Sequence, residues 1–249
     1  MRLRLSIAVV VLAAATGSAA GQSTSAAELQ RAIDNLANFD YPTRTIAARQ
    51  LRRAPAAGVV PVLAGAARAH ADEFVRYRAL VVLTSFNDRG TPDLMRTLLS
   101  DRNDRLREVA YRWFERYPDP GLTTPLLAAL NTEQSEFVRP VLIRAIAALP
   151  PGDAVQRALI SEIGRGFDFF RSAVIEALGD YRAAYAIDAI SAVATADGVL
   201  QDDAVLALGR IGDHRAAATL GTLSNPSSEV AAVLEAARCM LGDTCAARI

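Results

Sequence analysis

The sequence predicts an all-α protein, a right-handed α-solenoid of stacked helix–turn–helix units. Three observations lead there. A motif returns every 30 to 32 residues along the chain, and a period of that size is the mark of a repeat architecture. About a fifth of the 249 residues are Ala, the best helix former and a poor strand former. Within each copy, apolar side chains recur at the spacing of one helix face.

Residues 1–20 read as an export signal. Arg2 and Arg4 precede an apolar run from Leu5 to Ala15, and Ser18 and Ala20 take the −3 and −1 places of a cleavage site before Gly21. The run is shorter than the roughly 20 residues a spanning helix needs. Cleavage and release into the periplasm or the extracellular space are therefore expected, with no stable membrane insertion. Residues 21–39 form an N-terminal capping helix, opened by Ser25-Ala26-Ala27-Glu28. Residues 40–249 make the solenoid, with about six to seven units.

The repeat is anchored at Thr43, Val75, Leu106, Val138, Phe170, Leu200 and Val230. Three residues before the anchors stand Asp40, Asp72, Asn103, Ser135, Phe167, Asp197 and Ser227. All but Phe167 are good N-caps, able to accept from the free N–H groups of a first turn; Asp168 is placed to substitute there. Four residues after come Ala47, Ala79, Ala110, Leu142, Val174, Ala204 and Leu234. Eight after come Leu51, Leu83, Phe114, Ile146, Leu178 and Leu208, completing an apolar stripe. Gly179, Gly209, Pro118 and Pro150-Pro151 read as stops. A second helix then follows in each unit. Thr91-Pro92 and Thr124-Pro125 look like an N-cap with Pro in first position, and Asp153 to Gln156 has the spacing of a capping box.

The pattern in Asp72-Glu73-Phe74-Val75-Arg76, and in Phe170-Arg171 through Ala177-Leu178-Gly179, resembles the short HEAT repeat, a variant also found in phycobilisome-lyase-like proteins. The resemblance covers roughly residues 40–245. It implies a HEAT-like scaffold that binds partners on the curved inner surface lined by the second helices. Lyase members use the fold around a bilin, but no bilin-specific feature carries over to a residue here.

Several columns are candidates for function. Arg44, Arg76, Arg107, Arg139 and Arg171 follow the anchors and read as a structural column that pairs with acids or carbonyls of the inter-repeat turns. The rival reading is an anion-binding ladder. Tyr111, Trp113 and Tyr117, with Phe169 two repeats later, are local specialisations in a chain that is only 6% aromatic; large aromatics are frequent binding hot spots. Cys239 and Cys245 are the two cysteines, and in an exported protein a close pair reads as a disulfide. His70 and His214 stand alone, and no zinc-protease, nucleophile-elbow or P-loop motif occurs. No catalytic residue, cofactor or metal is expected.

Charge sets further bounds. The 27 basic residues, all Arg, balance 27 acids, which excludes a strongly basic nucleic-acid binder. Residues 21–120 hold 15 Arg against 12 acids, and residues 121–249 hold 10 against 15. The reading is an exported, non-catalytic scaffold that binds a protein of unknown identity through its concave groove. The alternatives are an anion binder using the Arg-rich N-terminal half and, behind it, a lyase-like enzyme.

Overall fold

The computed structural model describes residues 25–223 and 227–242; the predicted export signal lies outside them. Fourteen α-helices run through the described residues. The first seven are α1 (Ala26–Asp34), α2 (Tyr41–Arg53), α3 (Ala56–Ala69), α4 (Glu73–Leu83), α5 (Thr91–Leu98), α6 (Asp104–Arg116) and α7 (Thr123–Thr132). The rest are α8 (Arg139–Ala147), α9 (Asp153–Glu162), α10 (Asp168–Asp180), α11 (Ile187–Thr195), α12 (Gln201–Ile211), α13 (Arg215–Thr222) and α14 (Ser228–Met240).

Local chemistry sets most of the starts. Ser25 and Glu28 close a reciprocal capping box on α1. Asp40, Asp72, Asn103 and Ser227 each accept from a first-turn N–H of α2, α4, α6 and α14. Ser135 and Asp197 do not cap, because α8 and α12 begin later, behind Val138 and Leu200; the Ser135 hydroxyl lies 3.1 Å from Asp104 Oδ2 instead. Phe167 is the N-cap of α10 without a side-chain bond, and Asp168 is the first helical residue, not a substitute cap. Asp153 likewise sits inside α9 after Gly152, so no capping box forms there. Thr91 is the first residue of α5, one place before the expected start at Pro92, and Thr123 the first of α7, two places before the expected start at Pro125.

The helices stack in two rows. Even-numbered helices α2 to α14 lie side by side in one row and the odd-numbered helices lie against them in the other, where α5 packs on α6 and is parted from α7. Each tight pair runs from an odd helix to the even helix after it: α3 packs along α4, and α11 along α12. The sequence reading had paired each anchor helix with the one that follows. In the tight pairs the turn before the anchor helix is held by a side-chain bond, Arg76 Nε to Ala67 O or Gln201 Nε2 to Ala194 O, whereas a 3₁₀ segment follows α4, α6 and α10. The anchor columns are core as expected: Leu51, Leu83, Ile146, Leu178 and Leu208 are all buried.

Packing differs between the rows. In the even row, a Cβ placed on Gly179 would lie 2.9 Å from Ala207 Cα, and one on Gly209 2.6 Å from Ala237 Cα. These glycines let backbones touch inside the helices; they are not stops. The left-handed cap of α12 is Gly212, at φ 73°. The odd row is looser, and between α5 and α7 it opens into a cleft of about 660 Å³ floored by Tyr111, Leu122 and Leu126. From α10 to α14 the even row is therefore the more closely packed of the two.

Candidate partner-binding face

The Arg column lies at the turns that lead into the even helices. Helix C-termini leave carbonyls without intrahelical donors, and this column supplies donors to them and to the turns. Arg44 Nη1 donates to Asn38 O at 2.7 Å, Arg76 Nε to Ala67 O at 3.0 Å, Arg107 Nη1 to Asp101 O at 2.7 Å and Arg171 Nε to Ile163 O at 2.9 Å. At the corresponding place in α12 the column has Gln201, which carries no charge but keeps the bond, its Nε2 donating to Ala194 O at 3.0 Å.

The same guanidinium groups tie each turn to the next. Arg76 holds Asp101, Arg107 closes both oxygens of Glu133 at 2.7 Å, and Arg139 reaches Glu162 at 3.1 Å. Burial works to raise the Glu133 carboxyl, yet the Arg107 fork and the Ser135 N–H hold it below its ordinary value. Asp101 is lowered in the same way, against burial, by Arg76 and the Asn103 N–H. Arg171 instead pairs with Asp168 of its own turn, at 2.9 Å.

A second ladder, which the sequence reading missed, joins the other ends of the even helices. Arg144 Nε meets Glu115 at 2.6 Å and its Nη1 meets Asp180 at 2.9 Å; Arg210 then meets Asp180 at 3.1 Å. Burial opposes the charge on Arg144, but the two carboxylates raise its pKa well above the ordinary value. Tyr181, whose hydroxyl donates to Glu115 at 3.0 Å, is pushed up to about 12 by burial and then by that carboxylate. Glu115, Asp180 and Arg210 stand nine or ten places after their anchors but Arg144 only six after Val138, so the ladder forms no regular column in the sequence.

Between the two ladders lies the solvent face of the even row. The place directly before the anchor is filled by Phe74, Arg105, Phe137, Phe169 and Val199. Phe137 is 81% exposed, Phe169 65% and Phe74 54%. Arg105 stands over the Phe74 and Tyr77 rings, 5.8 and 5.6 Å from their centroids. In α4 and α10 a residue one place before the buried anchor points about 100° away from it around the helix, so Phe74 and Phe169 lie outside while Val75 and Phe170 pack inside; Phe137 is exposed in the turn that leads into α8.

This corrects two of the four predicted contact residues. Tyr111 is 1% exposed and Trp113 8%. Tyr111 faces the odd row, its hydroxyl 3.3 Å from Leu99 O, and burial pushes its pKa up to about 12. Trp113 is sealed against Tyr117, ring centroids 4.6 Å apart. Tyr117 is partly exposed, at the far end of α6 from the Phe column. Phe169 belongs to the column, together with Phe74 and Phe137, which the sequence reading used only as markers of the repeat. Cys239 sits in the last turn of α14, and Cys245, its predicted partner, lies outside the described residues.

The HEAT repeats family matches residues 59–147. No curated protein sequence matches the chain. Among solved structures it is similar to the YibA protein of Escherichia coli, at 17% identity and a TM-score of 0.60, over 87% of this chain and 81% of that one. It is also similar to a chain from the structure in which Kap95p binds RanGDP, at 16% identity and a TM-score of 0.59, over 87% of this chain and 33% of that chain. An engineered protein gives 18% identity and a TM-score of 0.51, over 86% and 68% of the two chains. At such identities the likeness speaks to the fold: the described chain is an all-α solenoid, with HEAT repeats matched over residues 59–147.

Proposed function

We propose that this chain is an exported, non-catalytic scaffold that binds a protein partner along the exposed face of its even row. The observation that carries the reading is the line of exposed rings at Phe74, Phe137 and Phe169 in a chain poor in aromatics. Rigid aromatic side chains contribute large contact area at low entropic cost and are enriched at binding hot spots. A photo-crosslinking amino acid at position 137 or 169 is expected to yield a discrete adduct in cells, and one at position 157, on α9, is not. Equal adducts from all three positions, or none from 137 and 169, would remove the face as the binding surface. Phe74→Ser is expected to weaken capture while leaving the melting temperature nearly unchanged, since the ring is already solvated.

A second reading has its own observation. Arg49, Arg53 and Arg116 make no ion pair among the described residues, and Arg78 Nε is buried without a hydrogen-bond partner. An anionic partner on the N-terminal half would use them. Such binding weakens steeply with ionic strength because exposed charges are screened, whereas capture by the Phe column does not. Titration of capture from low to high salt separates the two.

A further inference from the structure

Two neighbouring turns of the Arg column, at Arg76 and Arg107, share one construction, and the next turn, at Arg139, departs from it. Arg76 and Arg107 use both edges of the guanidinium: every one of their terminal nitrogens and each Nε has an acceptor. Arg139 does not. Its Nη2 meets Glu162 at 3.1 Å, its plane lies over the Phe170 ring at 4.2 Å, and its Nε is buried with no partner. Arg139 opens α8, whereas Arg76, Arg107 and Arg171 each stand fourth in their helices, and it donates to no backbone carbonyl.

A cleft of about 450 Å³ lies at that place, between the α7–α8 and α9–α10 turns. Leu130, Phe167, Phe169 and Phe170 make its apolar part, and Asn131 and Gln134 bring amides. Gly166 bends the wall with φ +85°, and a Cβ there would meet Phe170 at 3.3 Å. Arg165 is on the lining too and shares Glu162 with Arg139. Of the other lining carboxylates, Glu133 is closed by Arg107, and Glu136 is exposed at the rim.

We infer that this cleft seats the C-terminal residue of a protein segment that ends in a bulky apolar side chain, its free carboxylate on Arg139. The inference rests on the partner-binding reading and names the chemistry of the partner's end. Underused guanidinium donors call for a carboxylate, and charge-assisted bonds of this kind are the strong ones. The phenyl rings beside them call for an apolar group, and the cleft is at the small end of ligand sites. A chain terminus delivers both groups from one Cα, a known mode of peptide capture. A segment passing through would lay its polar backbone across Phe167 and Phe169.

Fluorescence polarisation with a labelled Gly-Ser-Gly-Ser-Ala-Leu peptide tests this. The free acid is expected to bind, and its C-terminal amide to bind roughly tenfold more weakly or worse. Arg139→Gln erases that difference, Phe167→Ser weakens the acid, Glu136→Gln strengthens it, and Arg157→Gln changes nothing. Helical circular dichroism of each variant confirms that it is folded. Equal binding of acid and amide, no binding of the acid at millimolar protein, or competition by free isocaproate as strong as by the peptide would each overturn the assignment. If Arg139→Gln leaves cellular crosslinking from position 137 intact while Phe74→Ser abolishes it, the pocket is refuted and the face reading stands.

Discussion

At the turn between α7 and α8, the Glu133 side chain is 2% exposed and has both oxygens on Arg107. Arg107→Ala strands that carboxylate, and breaking a buried pair from one side costs about 3–5 kcal/mol. A urea titration reads the loss. Arg139→Gln is expected to cost only about 1.5 kcal/mol, because Arg165 still holds Glu162 at 2.7 Å. The pH dependence follows from Asp101 and Glu133, both lowered from ordinary values of 3.8 and 4.5. A lowered folded-state pKa gives stability that is complete above the unfolded value and is lost as pH falls through the folded one. The wild-type melting temperature should therefore hold from pH 7 to about pH 5 and fall below about pH 4. In Arg107→Ala, burial acts on Glu133 with less opposition, so the gap to wild type narrows as the medium is acidified. At this scale the core was legible and the site was not. Leu51, Leu178 and Leu208 follow from periodicity alone. Tyr111 and Phe169 both lie off the predicted stripe, but an even helix is covered by two row neighbours and an odd helix, so its buried arc is wider than one stripe. Tyr111 falls within that arc and Phe169 outside it.

Among helices, two glycines that look alike in sequence behave in opposite ways. Gly209 faces Ala237 Cα at 2.6 Å from its would-be Cβ, while Gly65, inside α3, has nothing within 4 Å. Gly209→Ala forces α12 from α14 and is expected to destabilise by about 1–3 kcal/mol, outweighing the gain in helix propensity. Gly65→Ala meets no such wall and is expected to stabilise by about 0.5–1 kcal/mol. Thermal melts of the two single variants decide it; a shared sign would disprove the contact argument. The existence and order of the helices were readable from caps and stripes. Their pairing was not: the Arg column points to bonds with carbonyls of the turns, such as Arg76 Nε to Ala67 O, but its spacing does not say that they close the turn before the anchor helix and not the one after it.

For the molecule as a whole, the outstanding expectation is its address. Intact mass after export should place the first residue near Gly21, and retention of Met1 in a membrane fraction would refute the signal. Alkylation of the exported protein without reductant should find neither Cys239 nor Cys245 reactive; two modified thiols in the folded chain would refute the staple. In a solenoid each unit leans mainly on its neighbours, so losing that staple is expected to loosen α13 and α14 and leave the Phe column intact. Hydrogen exchange on the reduced protein reads that boundary.

The unequal spacing of the two rows has a mechanical side. A bent beam keeps its length along its stiffest layer, and in this chain the backbone contacts at Gly179–Ala207 and Gly209–Ala237 put that layer in the even row. Flexing is then taken up by the odd row, first where about 660 Å³ already parts α5 from α7. The spacing of α10, α12 and α14 is then expected to stay nearly constant while the back of the molecule opens and closes, like a ruled edge mounted on a spring.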